Sequence, residues 1–207
     1  MFDSMRLLSV NPNLWLLQEC RRVWSPKGDP LNWGDLIEAA ENAKSFIAYI
    51  YPSDDAFTLP DHMPSAIQDY CLKSGQTTPK GNGEIVRVCL ESLAFQYRLM
   101  KDRLTDVLGI KLTALHIVSG GTKNKLLNQF AANACGIPVI AGPAEPAVLG
   151  NIMMQLIATG EIDGLEEGKS LIKNSFPTHT YYPEESEKWE DAYRDFLKKT
   201  QISPLIK

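Results

Sequence analysis

Along the first half of the chain, apolar side chains return at helical spacing; further on they gather into short strand-like runs. From Asn13 to Trp24 (NLWLLQECRRVW) the positions Leu14, Leu17, Cys20 and Trp24 fall on one face, which predicts a helix stopped by Ser25-Pro26-Lys27-Gly28. Asn32 precedes a second short helix with Leu36, Ile37 and Ala40 inward. From Phe46 to Met63 the period is lost, and Pro52, Pro60 and Pro64 separate short apolar clusters. That pattern suits a surface-wrapping segment better than a sheet, and residues 30–79 read as insertion-like. Ser65 to Ser74 predicts a short helix closed by Gly75. The longest element begins near Gly83: Val86, Cys89, Leu93, Tyr97, Met100, Leu104 and Val107 form one stripe, with Gly109 as its C-cap.

The pattern then changes. Leu112 to Val118 (LTALHIV) is rich in strand formers and runs directly into Ser119-Gly120-Gly121-Thr122. A helix follows on Leu126, Leu127, Phe130, Ala131 and Ala134, closed by Gly136. A second strand, Pro138 to Ala141 (PVIA), leads through Gly142-Pro143 to a helix from about Ala144 to Thr159. Strand-loop-helix twice over predicts an α/β fold with parallel strands, mostly helical overall. Leu165 to Asn174 and Glu184 to Lys199 read as two amphipathic surface helices. A length of 207 residues suits one domain, or one with an elaborated insertion.

Composition narrows the classes of function. The chain is 44% hydrophobic and 22% charged with a net charge of -4, which argues against nucleic-acid binding. The adjacent Arg21-Arg22 beside Trp24 reads as a solvated helix face. No run approaches the ~18 apolar residues that span a bilayer, and Met1 to Val10 lacks the pattern of a secretory signal. Cys20, Cys71, Cys89 and Cys135 are widely spaced, and with His62, His116 and His179 they form no zinc pattern. Unpaired cysteines fit a reducing compartment, so a cytoplasmic location is expected.

Candidate chemistry concentrates at the two strand-to-helix loops. Gly120-Gly121 lets the backbone turn and a ligand approach without a Cβ in the way, and the next helix offers free N–H groups and a favourable dipole for an anion. A plain tight turn also favours glycine. The tetrapeptide is neither a Walker loop nor a complete Gly-x-Gly-x-x-Gly fingerprint. Loops at the carboxyl ends of adjacent parallel strands converge on one crevice, so Gly142 to Glu145 is expected to face the same ligand. Glu145 is a candidate to orient the helix start or a water on a metal, or simply a first-turn acid complementing the dipole. Gly150 inside the third helix suggests close packing against a neighbour. His116 reads as a satisfied core histidine. Asn124, Lys125 and Asn128 read as solvent-exposed, as does Lys123, although Lys123 could reach a phosphate. Asp61 and His62 form no nucleophile-base set with a serine. A dinucleotide-binding oxidoreductase would want an acidic residue ending the second strand, where Gly142-Pro143 stands instead.

Taken together, His116 to Ile162 (HIVSGGTKNKLLNQFAANACGIPVIAGPAEPAVLGNIMMQLIATGEI) resembles the C-terminal signature of the FGGY carbohydrate kinases. Leu14 to Arg22, Met63 to Cys71 and Gly83 to Leu93 support the likeness, which extends from about Leu14 to Phe176. The resemblance implies an incomplete actin-like, RNase H-like ATPase domain that cradles the nucleotide while an opposing N-terminal domain holds the sugar. It implies nucleotide contacts at Gly120, Gly121, Thr122, Asn124, Gly142 and Glu145, with ATP and Mg2+ as cofactors and L-rhamnulose 1-phosphate as product. Two departures stand out: Ser119 replaces the first glycine of a triplet, and Pro146-Ala147 replaces Ala-Thr. The family's general-base aspartate, in a His-Asp-Thr-Ala-like stretch, has no counterpart here. Neither has the Ser-Gly-Thr-Trp segment after it, nor the N-terminal Asp-x-Gly loop. The chain alone is therefore expected to be inactive, with an open strand edge that favours self-association or a complementing chain. The alternative is a non-catalytic nucleotide-binding or interaction module.

Overall fold

A computed structural model describes residues 14–25, 29 and 31–204. Two compact units emerge, 1–92 and 93–207, with the boundary inside a long helix.

The first unit is helical. Helix α1 (Trp15–Trp24) buries Leu16, Leu17 and Cys20 and packs on α3 (Met63–Lys73). Helix α2 (Trp33–Asn42) starts where Asn32 accepts a hydrogen bond from the Gly34 N–H. Arg21 is less solvated than the sequence suggests: its Nε donates to the Leu31 carbonyl at 2.6 Å and its guanidinium lies over the Trp33 ring. Helix α4 (Gly81–Leu108) is the longest element, and its residues 81–92 belong to this unit.

Residues 46–50 are irregular, as the broken period predicts, yet Ala48, Tyr49 and Ile50 are buried rather than wrapped over a surface. Side chains satisfy the backbone there in place of a neighbouring strand. The Phe46 N–H donates to Glu91, the Ile50 N–H to Ser92, and the Tyr49 N–H and carbonyl both pair with the Gln76 amide. The buried Glu91 carboxylate also pairs with Arg87 at 2.8 Å.

The second unit holds a small mixed sheet: β1 (Leu115–Ile117), β2 (Val139–Ala141) and β3 (His179–Tyr181), in that order. Strands β1 and β2 are parallel, with Leu115 opposite Val139; β3 is antiparallel to β2, with Tyr181 opposite Val139. Both strand runs predicted between residues 112 and 141 are present, each shorter than its apolar run. Strand β3 lies where no element was expected. Helices α5 (Lys125–Cys135), α6 (Pro146–Thr159), α7 (Leu165–Ser175) and α8 (Ser186–Thr200) complete the unit.

Its core joins Ala131, Ala132 and Val139 to Tyr97, Leu115, Ile117 and Tyr181. Beside it, Trp189 of α8 sits 5.4 Å from Phe95 and 5.1 Å from Phe130, ring centre to ring centre. Every residue from Val88 to Gln96 is buried, so α4 there is buried all round rather than on one stripe, whereas Val107 near its end is exposed. A Cβ added to Gly150 would meet no atom within 4 Å, so the tight packing expected there is absent; the close approach falls at Gly168, against Met153.

Candidate functional site

Strands β1 and β2 deliver their chains to the same edge of the sheet, and two hydrogen bonds then clamp the emerging loops side by side. The Gly142 N–H donates to the Ile117 carbonyl at 2.9 Å, and the Ser119 N–H donates to the Pro143 carbonyl at 3.2 Å. The convergence expected from the parallel order is therefore realised. Residues 119–123 form a single 3-10 turn, and α5 and α6 both begin at this edge.

Within the first loop the polar groups largely serve the loop itself. Thr122 Oγ1 donates to the Ser119 carbonyl at 2.7 Å, and the Asn124 N–H donates to the Gly121 carbonyl. Asn124 Oδ1 caps α5 by accepting from the Leu127 N–H at 3.0 Å, so this half-buried residue is not the free surface side chain expected. Ser119 carries φ +63°, a left-handed backbone that a glycine would adopt without strain.

The three glycines differ in what confines them. A Cβ on Gly142, whose φ is +125°, would lie 3.1 Å from the Pro177 carbonyl oxygen, where the chain enters β3. A Cβ on Gly121 would touch Ile117. Gly120 has neither constraint: it is exposed, its φ is not positive, and a Cβ would meet nothing within 4 Å. The fold itself makes no demand for glycine at 120.

Other candidates need correction. His116 is exposed on β1 and is not a core histidine. Asn128 is fully buried, not solvated. Its Nδ2 donates to the Thr122 carbonyl at 3.2 Å, and its Oδ1 has no partner among the described residues. The α5 period could have shown this, because Asn128 shares a face with Ala131, Ala132 and Cys135. Glu145 occupies the N-cap of α6 but makes no capping hydrogen bond, so it does not orient the helix start in that way; it is exposed, as are Lys123 and Lys125.

A recess of about 440 Å3 lies at the far end of α5, lined by Lys101, Asp102, Thr105, Lys111, Cys135 and Gly136. Two of its charged groups are already engaged: Lys101 Nζ donates to the Cys135 carbonyl at 3.0 Å and pairs with Asp102. Among the described residues no group of three or more His, Cys, Asp or Glu converges to hold a metal ion, and no helix is long and apolar enough to cross a membrane.

All four thiols are buried and unpaired. Burial pushes Cys20, Cys71 and Cys135 up to about 12, and Cys89 well above its ordinary value, so none resembles an activated nucleophile.

Residues 1–159 match the FGGY family of carbohydrate kinases, C-terminal domain. A rhamnulokinase of Bacteroides thetaiotaomicron is 40% identical over 198 residues, covering 93% of this chain, and one of Pectobacterium atrosepticum is 38% identical over 199, covering 96%. The chain spans 39% of the length of each. Among solved structures, Plasmodium falciparum glycerol kinase with ADP aligns with a TM-score of 0.60 at 20% identity, covering 83% of this chain and 34% of that one. The xylulose kinase of Rhodospirillum rubrum aligns at 0.58 and 18% identity, covering 88% and 36%. These likenesses give the fold, the actin-like ATPase fold of such kinases. The clamped pair of glycine loops lies inside the matched region, and the chain belongs to the FGGY family of carbohydrate kinases.

Proposed function

We propose that this chain supplies the nucleotide-binding part of an ATP-dependent sugar kinase that converts L-rhamnulose to its 1-phosphate. The observation that carries the reading is the clamp that sets Gly120 and Gly121 beside Gly142 and Pro143 at the starts of two helices. An exposed Gly120 that the fold does not require is best accounted for by a ligand that approaches the backbone there. Gly121, Thr122, Asn124, Gly142 and Glu145 belong to the same pair of clamped loops. The sugar preference rests on the rhamnulokinase relatives.

In the transfer, the sugar hydroxyl oxygen bonds to the γ-phosphorus, the bond from that phosphorus to the bridging oxygen breaks, and ADP departs. The hydroxyl proton passes to a base. The protein's part is positioning and charge stabilisation. The first N–H groups of α5 and the dipole behind them favour phosphate oxygens. Mg2+ would be held largely by the nucleotide phosphates and water, as is usual for this ion beside a nucleotide. The ionisable side chains at these loops, Lys123, Lys125 and Glu145, are exposed, and we assign the base and the sugar contacts to a complementing part of the kinase. Strand β1 is a terminal strand of the sheet, so its outer edge suits either that part or a second copy.

Thermal unfolding with and without millimolar Mg-ADP tests the reading. Binding at ~100 times the dissociation constant stabilises the folded chain by ~2.7 kcal/mol. Gly120→Val should leave the unliganded midpoint nearly unchanged and abolish the ADP shift. A midpoint indifferent to ADP would remove the proposal. Rhamnulose phosphorylation regained on adding a separately produced N-terminal half would distinguish a kinase part from a non-catalytic nucleotide-binding module.

A further inference from the structure

We infer that Asn128 is a positioning residue for the nucleotide loop: its buried amide fixes the Thr122 carbonyl and thereby holds Gly120 and Gly121 open for the ligand. The inference rests on the nucleotide-binding reading and extends it to a residue beneath the loop.

Asn128 stands in conflict with its surroundings. The residue is 0% exposed, on the inner side of α5 among Leu127, Ala131 and Ala132. A buried amide is tolerated when its donors and acceptor are used. Here Nδ2 donates to the Thr122 carbonyl, while Oδ1 is buried without a donor among the described residues. An apolar side chain of similar size would avoid that unsatisfied acceptor, so packing alone does not favour asparagine at this position.

The loop gives the residue its purpose. Gly120 and Gly121 sit between Ser119 and Thr122, and these two are tied by the Thr122 hydroxyl on the Ser119 carbonyl. Ser119 is anchored to the second loop through Pro143. Thr122 is anchored downward only through Asn128, among the contacts described for its carbonyl. Removing the amide leaves that end of the glycine pair held by the Thr122 hydroxyl and by the Asn124 N–H on the Gly121 carbonyl, without its tie to the core face of α5. A stability cost kept beneath a candidate site matches the usual trade between stability and function.

The test uses the whole chain and three readouts on Asn128→Leu: thermal midpoint, amide hydrogen exchange over residues 119–124, and the Mg-ADP dissociation constant. The Leu variant should melt near the parent, because removing the unsatisfied Oδ1 offsets the loss of the bond to the Thr122 carbonyl. Its loop amides should exchange about tenfold faster and Mg-ADP should bind about tenfold more weakly, the equivalent of one hydrogen bond of about 1.4 kcal/mol. A purely structural role predicts the opposite pairing, a lower midpoint with unchanged loop exchange. Should the Leu variant fail to fold, Asn128→Ala removes the same bond without added bulk. Unchanged exchange in a folded variant overturns the inference. Faster exchange with unchanged affinity refutes the link to the ligand while leaving nucleotide binding intact. If the parent chain itself binds no Mg-ADP, the nucleotide reading falls, and with it the ligand role of Asn128.

Discussion

Ser119 holds a backbone φ of +63° directly ahead of the glycine pair. A non-glycine residue in the left-handed region costs about 1–2 kcal/mol, while glycine adds about 0.5–1 kcal/mol of unfolded-state entropy. The difference predicts that Ser119→Gly raises stability by about 0.5–1 kcal/mol, measurable as a higher denaturant midpoint with an unchanged slope. A lower midpoint would show that the serine makes a compensating contact. Residue type and spacing made the two loops legible in the sequence, because glycine between a strand pattern and a helix pattern marks a tight junction whether or not a ligand sits there. They did not reveal which glycine the fold needs. Gly142 is confined by Pro177, a residue 35 positions further along the chain that no local pattern connects to it. Nor did they reveal the burial of Asn128, since polar side chains in a helix default to solvent unless the opposite face is already assigned.

Helices declared themselves through their periods, and short strands did so less well. Strand β3 is three residues long, His179–Tyr181, too brief for alternation to register, and it exists because it pairs with β2. The 46–50 segment is a second case. Its burial depends on Glu91, Ser92 and Gln76, which lie 27 to 45 residues away in the sequence. Gln76→Ala would remove the amide that pairs with both the N–H and the carbonyl of the buried Tyr49 and should cost about 2 kcal/mol in chemical unfolding, whereas an effect below about 0.5 kcal/mol would mean that another group or water replaces the amide. Helix crossings make a sharper pair of predictions. A Cβ on Gly83 would stand 2.6 Å from the Ala39 carbonyl oxygen of α2, and backbone cannot rotate aside. Gly83→Ala should therefore destabilise by about 1–3 kcal/mol. Gly150 in α6 faces open space, and Gly150→Ala should stabilise by about 1 kcal/mol through helix propensity alone. Equal responses at the two sites would contradict this account of the crossings.

Across the whole molecule, the buried thiols tie stability to alkaline pH. Cys20 and Cys71 in residues 1–92, and Cys135 in residues 93–207, ionise near 12 in the folded chain because burial disfavours the thiolate, against an ordinary value of 9.0. Cys89 and the phenol of Tyr97 are raised in the same direction, chiefly by burial. Between pH 9 and about 12 the unfolded chain therefore holds fewer protons than the folded one. Stability falls with rising pH wherever that is so. The stabilising contribution of each neutral thiol is complete below pH 9 and is lost as the pH climbs through the folded value. The thermal midpoint should thus be flat near neutrality and decline steeply above pH 9, with a shallower decline in Cys135→Ala, which removes one linked group. Thiol labelling gives an independent check on the same burial. Native chain at pH 7.5 should react slowly at all four cysteines, and the denatured chain should react fully. Rapid labelling of any cysteine in the native state would mean that its surroundings open on the timescale of the reaction, and the alkaline decline would then reflect local opening rather than linkage to global unfolding.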